Sequence, residues 1–120
     1  MFLHISDSMT VEDVQDRFRE CFPSLDLVFY RTPNKKWQGL DKSEEVSPRE
    51  RIAYIRDNHY NGVLEIKSWH AVAKVEEALN ELFGLNAQIV RKGVGDKWIT
   101  NTLNSNSTLA DQARLYEAVA

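Results

Sequence analysis

The sequence predicts an α+β fold: one two-layer domain made of two pseudo-symmetric halves, each running strand-helix-strand-(strand)-helix. Three observations predict it. Residues 1–60 match residues 62–120 at an offset of 61. Stretches of period-two alternation interleave with stretches of helical apolar spacing. Capping and stop residues stand where the period changes.

The match is residue by residue. Leu3 meets Leu64, Ile5 meets Ile66, Val11 meets Val72, Val14 meets Val75, Glu20 meets Glu81 and Phe22 meets Phe83. With one residue dropped, Leu25 meets Leu85 and Arg31 meets Arg91; the offset then returns to 61, and Lys36-Trp37 meets Lys97-Trp98. Each half is short, and a domain of about 60 residues buries only about 60% of its unfolded surface. The halves therefore share one core over residues 1–120.

Phe2 to Ile5 predicts the first strand. Thr10, with Asp13 three residues on, caps a helix whose stripe is Val11, Val14, Phe18, Cys21 and Phe22. Pro23 ends it. Leu25, Leu27 and Phe29 alternate as a strand, and residues 38–46 read as a polar, acidic loop. Ser47, Pro48 and Glu50 carry the N-cap, first-position proline and capping-box signals. They predict a helix of about two to three turns that buries Ile52 and Ile55. Ser47 is matched to Thr108, which with Asp111 caps the last helix, carrying Leu109, Leu115, Tyr116 and Val119.

In the second half Val63 to Lys67 is a strand. A helix runs from about Ala71 to Phe83 on Val72, Val75, Leu79, Leu82 and Phe83, with Ser68 as a candidate cap. Gly84 supplies a left-handed stop. Leu85 to Arg91 alternate, and Gly93 to Asp96 turn into a strand at Lys97 to Asn101.

The arrangement resembles the ferredoxin-like group of duplicated βαβ folds, with an antiparallel or mixed sheet under helices, and also strand-helix-strand-strand modules. A fold resemblance carries little functional weight. The run from Phe83 to Lys92, with Trp98 following, resembles a group of small uncharacterised bacterial α+β proteins. That resemblance covers the second half and implies no activity, substrate or site residue.

Composition narrows the class. Hydrophobic residues make up 42% and charged residues 28%, as in ordinary globular chains. No apolar run nears the roughly 20 residues of a membrane span, and Met1-Phe2-Leu3-His4 has no signal-peptide pattern. One cysteine excludes an internal disulfide and suits a reducing, cytoplasmic setting. A net charge of −3 disfavours nucleic-acid binding by bulk charge.

No motif supplies chemistry. His4, His59, His70 and Cys21 lack the short spacings of a zinc site, so no metal and no cofactor is expected. Cys21 reads as a small core residue on its helix stripe. His4 lies out of phase with Leu3 and Ile5 and faces outward, and His59 falls in a solvated turn. Glu76, Glu77 and Glu81 read as a solvated helix face rather than an acid–base pair. Gly93-x-Gly95 lies between strands and lacks the helix N-terminus of a phosphate cradle. No catalytic residue is assigned.

The candidate binding residues are Arg31, Lys36, Trp37, Trp69, His70, Arg91, Lys97 and Trp98. Basic residues beside aromatics can stack on bases and contact phosphates. Paired tryptophans that close the ends of the core explain the same pattern, and packing is the first reading. Trp69 and His70 answer to Ser8 and Met9, so they are one-sided features. Val28, Tyr30, Gln88 and Val90 face away from the main apolar set, which predicts a partly apolar open sheet face.

The expected function is a non-enzymatic protein–protein contact or regulatory module, a homodimer through that face or an edge strand. The alternative is a small-molecule site between the halves, lined by Tyr30, Trp37, Trp69 and Trp98. Single-stranded nucleic-acid binding through Arg31, Lys36, Arg91 and Lys97 ranks third.

Overall fold

A computed structural model describes residues 1–31, 45–92, 98–100 and 107–113. The strands are β1 (Phe2–Ile5), β2 (Leu25–Tyr30), β3 (Gly62–Glu65), β4 (Asn86–Lys92) and β5 (Trp98–Thr100), and the helices are α1 (Val11–Cys21) and α2 (Val72–Phe83). A single 3₁₀ turn spans Ile52–Tyr54, and residues 109–113 are helical. The expected mixed α+β architecture is present, with its strands shared between two antiparallel sheets: β1-β3, and β2-β4-β5.

Local chemistry starts α1 as expected. Thr10 Oγ1 accepts the Asp13 N–H at 3.2 Å, and Asp13 Oδ2 accepts the Thr10 N–H at 2.9 Å. These two bonds satisfy donors that a helix start leaves unpaired. Val11, Val14 and Phe18 bury the apolar face. Gly84 ends α2 at φ 66°, a conformation that glycine adopts without a Cβ penalty. Helix α1 packs on both β2 and β1, and α2 packs on β4. One core collects Leu3, Phe18, Leu27, Phe29, Ile66, Leu79, Phe83 and Ile89 from both halves.

The registers place matched residues face to face. Leu3 stands opposite Leu64 in β1-β3, and Val28 stands opposite Gln88 in β2-β4. Gln15 and Glu76, 61 positions apart, both reach from a helix to a strand backbone. Gln15 Nε2 donates to the Leu27 carbonyl at 2.7 Å, and Glu76 Oε2 accepts the Ile89 N–H at 2.7 Å. Glu76 is thus half-buried and engaged rather than part of a purely solvated face; Glu77 and Glu81 are exposed.

Four expectations are corrected. Ser47 starts a turn, not a helix of two to three turns. Its Oγ accepts the Arg49 N–H, and Arg51 is extended at φ −82° and ψ 146°. The carbonyls of Pro48 and Glu50 accept the Glu12 and Val11 N–H groups at 2.9 and 2.8 Å, so this segment serves the start of α1. Thr10 forms an isolated bridge with Arg51, and Ala71 forms one with Thr108. Ile52 donates to Met9, and Leu109 donates to His70.

Ser68 does not cap α2. Ala71 holds the cap position without a side-chain bond, and the Ser107 carbonyl accepts the Val72 N–H at 2.9 Å. Cys21 is exposed rather than core. At about 100° per residue it sits roughly 50° from the centre of the Val11–Val14–Phe18 arc, at one edge of the stripe and at the last residue of α1, while Gln15 lies off the other edge and is buried. Leu82, placed on the predicted stripe of α2, is also exposed. Finally, Tyr30, Gln88 and Val90 are buried and Val28 is half-buried, so the second face of β2-β4 is not an open surface.

Candidate functional site

The predicted binding residues do not gather at one place. Arg31 follows β2 and pairs with Glu50, Nη2 to Oε1 at 2.7 Å. Arg91 lies opposite Leu25, at the other end of β2. Six ladder positions separate the two ends, a distance of roughly 17–20 Å. Trp98 pairs through its backbone with Lys92 in β4-β5. Lys36, Trp37 and Lys97 lie outside the described residues. Trp69 and His70 stand on the β3-α2 link. Trp69 is 66% exposed, with Lys67 Nζ 5.1 Å from its ring centroid. His70 turns inward locally, where Nδ1 accepts the Lys67 N–H at 3.1 Å.

Two arrangements that single residues did not signal are built instead. The first centres on Arg56, whose side chain is 0% exposed. All five of its N–H groups find acceptors: Nε and Nη2 reach Asp7 Oδ1 at 3.1 and 2.8 Å, and Nη2 reaches Asn61 Oδ1 at 3.2 Å. Nη1 donates to the Tyr60 and Phe83 carbonyls at 2.8 and 3.0 Å. The last contact sets a positive charge on the C-terminus of α2, where the helix dipole favours it. Asn58 Nδ2 adds a bond to the Leu82 carbonyl at 3.0 Å. His59 Nδ1 meets Asp7 Oδ2 at 2.9 Å, so His59 is paired as well as exposed. Burial pushes the Asp7 carboxyl up, but hydrogen bonds and charge from Arg56 and His59 outweigh it and hold Asp7 below the usual carboxylate range.

Beside this cluster, Arg31, Tyr54, Ile55, Arg56, Asp57, Gly84 and Asn86 line an open polar cleft of about 350 Å³. It draws on both halves, and its described lining is mainly polar.

The second arrangement is the outward face of β1-β3. The pairs Phe2–Glu65 and His4–Val63 point outward, while Leu3 and Ile5 point into the core. Phe2 is 55% and Val63 47% exposed. His4 faces outward as its phase predicted. The sign available in the sequence was the alternation in residues 2–5 and 62–66, where the outward positions are not uniformly polar.

Among the described residues no group of three or more His, Cys, Asp or Glu is placed to hold a metal ion, and no helix is long and apolar enough to cross a membrane. No protein-family model, curated protein or solved structure matches the chain.

Proposed function

We propose that this chain is a non-enzymatic protein–protein contact module of the cytoplasm, acting through the outward face of β1-β3. The observation that carries it is the exposure of Phe2 and Val63 on strands whose other side packs Leu3, Ile5 and half-buried Leu64 against the core. An uncovered apolar pair on a two-stranded sheet is the kind of surface that a partner completes. The Arg56 cluster supports a scaffold role rather than chemistry: every guanidinium donor is spent on holding Asp7, residues 60–61 and the end of α2 together. The facing of matched residues, Leu3 on Leu64 and Val28 on Gln88, supports an internal duplication with a local twofold through both pairs.

The test is quantitative capture with wild-type chain and Val63→Asp, followed by reconstitution with purified partner. A partner bound by wild type and lost with Val63→Asp supports the reading. Identical capture by both chains overturns it.

The polar cleft favours a second reading, a site for a small polar ligand contacted by Arg31 and Asn86. Thermal shift against a panel of small charged metabolites tests it. Stabilisation lost in Arg31→Ala supports the site, and no stabilisation across the panel removes it.

A further inference from the structure

We infer that the partner of the β1-β3 face is a second copy of this chain, packed with its strands crossed. This rests on the contact-module reading above. The four outward residues form a rectangular panel, longer along the strands than across them. Cross-strand neighbours are about 4.5–5.5 Å apart, and residues two apart on one strand are about 7 Å apart. Phe2 and Val63 occupy one diagonal of the panel, and His4 and Glu65 occupy the other, because Phe2 pairs with Glu65 and His4 with Val63.

That diagonal arrangement selects one way of pairing two faces. A twofold axis along the strands sets Phe2 on the partner's Glu65. An axis across the strands sets Phe2 on the partner's His4 and Glu65 on the partner's Val63. An axis along the His4–Glu65 diagonal sets Glu65 on the partner's Glu65. Each leaves apolar groups on polar ones or like charges together. An axis along the Phe2–Val63 diagonal does neither: each apolar residue meets its own equivalent, and His4 offers a ring N–H to the partner's Glu65, twice. On a panel of about 5 Å by 7 Å this axis turns one pair of strands about 70° to the other, a crossed rather than an aligned packing. Glu65 already has Lys67 Nζ at 3.3 Å, so it enters the interface with a cation at its outer side. The panel is small, which places the dimer among weak, transient contacts of less than about 1,200 Å².

Sedimentation velocity over a micromolar-to-millimolar concentration series tests the inference, with circular dichroism confirming that each variant folds. Wild type is expected to self-associate, and Val63→Asp to remain monomeric. His4→Glu is expected to weaken the dimer about tenfold or more, since like charges then face across it. Combining His4→Glu with Glu65→Lys is expected to restore it. If Val63→Asp does not fold, Phe2→Ser takes its place. A wild type that stays monomeric at millimolar concentration overturns the dimer. The wider reading survives that result if a different purified partner still depends on Val63. Self-association untouched by Val63→Asp or Phe2→Ser, or a double variant that stays as weak as His4→Glu, overturns the crossed face.

Discussion

Arg56 Nη2 lies 2.8 Å from Asp7 Oδ1, joining residues 49 positions apart with a guanidinium that solvent does not reach. Burying a charge is costly unless it is fully paired, and here the pairing is complete. Arg56→Ala leaves Asp7 without its main partner and uncovers two carbonyls. Urea unfolding at neutral pH is expected to show a loss of about 3–5 kcal/mol. Arg56→Lys keeps the charge but not the five-donor fork, and is also expected to be destabilised. A change below about 1 kcal/mol in Arg56→Ala, the level of a surface pair, would contradict the structural weight given to this cluster.

The same contact fixes a pH dependence. Asp7 titrates lower in the folded chain than its ordinary value of 3.8. Its charge therefore contributes stability that is fully present above that value and is lost as pH falls through the lower folded value. Asp7→Asn removes this component, so its stability is expected to fall less steeply in acid than that of wild type. The comparison is of urea midpoints between about pH 2 and pH 6. Parallel acid limbs in the two proteins would show that Asp7 carries none of it.

Gly84 is where α2 turns back toward β4, at φ 66°. A Cβ there would lie 2.9 Å from Asn58 Cβ, which Asn58 cannot relieve without losing its bond to the Leu82 carbonyl. Gly84→Ala is expected to cost about 1–2 kcal/mol in chemical unfolding from conformation alone, with the contact adding to it. A neutral substitution would mean that the 58–61 segment yields freely.

Cys21 is exposed near the end of α1, with Arg17 Nη1 3.9 Å from its sulfur. Complete labelling by a thiol reagent is expected in the native chain without denaturant. Labelling that waits on unfolding would return Cys21 to the core.

Short-range signals were legible in the sequence. Thr10 and Asp13 cap α1, Gly84 stops α2, and the alternation of Leu25, Leu27 and Phe29 marks β2, because each depends on neighbours within one turn or one pleat. The Ser47–Glu50 signal misled because the carbonyls it would have placed in a helix are claimed by α1, more than thirty residues away in sequence. The Arg56 cluster was invisible for a related reason. Its acceptors come from Asp7, Tyr60, Asn61 and Phe83, and no local spacing connects them. The outward panel was half legible: phase placed His4 outside, but only the strand register brings Val63 beside it and Glu65 beside Phe2.

Asp26 tests whether the second face of β2-β4 is as enclosed as its neighbours Gln88 and Val90 suggest. Burial pushes its carboxyl above the ordinary 3.8, although the Leu27 N–H at 2.8 Å and Arg19 Nη1 at 2.9 Å favour the charged form. Burying the ion therefore costs more than these partners return. A carboxyl raised by folding stabilises fully below its unfolded value, and that contribution is lost as pH rises through the folded value. Asp26→Asn keeps an oxygen acceptor for the Leu27 N–H and removes the buried charge, while Arg19 retains Asp16. The variant is expected to match wild type in acid and to exceed it at neutral pH in urea unfolding. A variant that is weaker at neutral pH, with the deficit vanishing in acid, would show instead that the Arg19 pair outweighs the burial of Asp26.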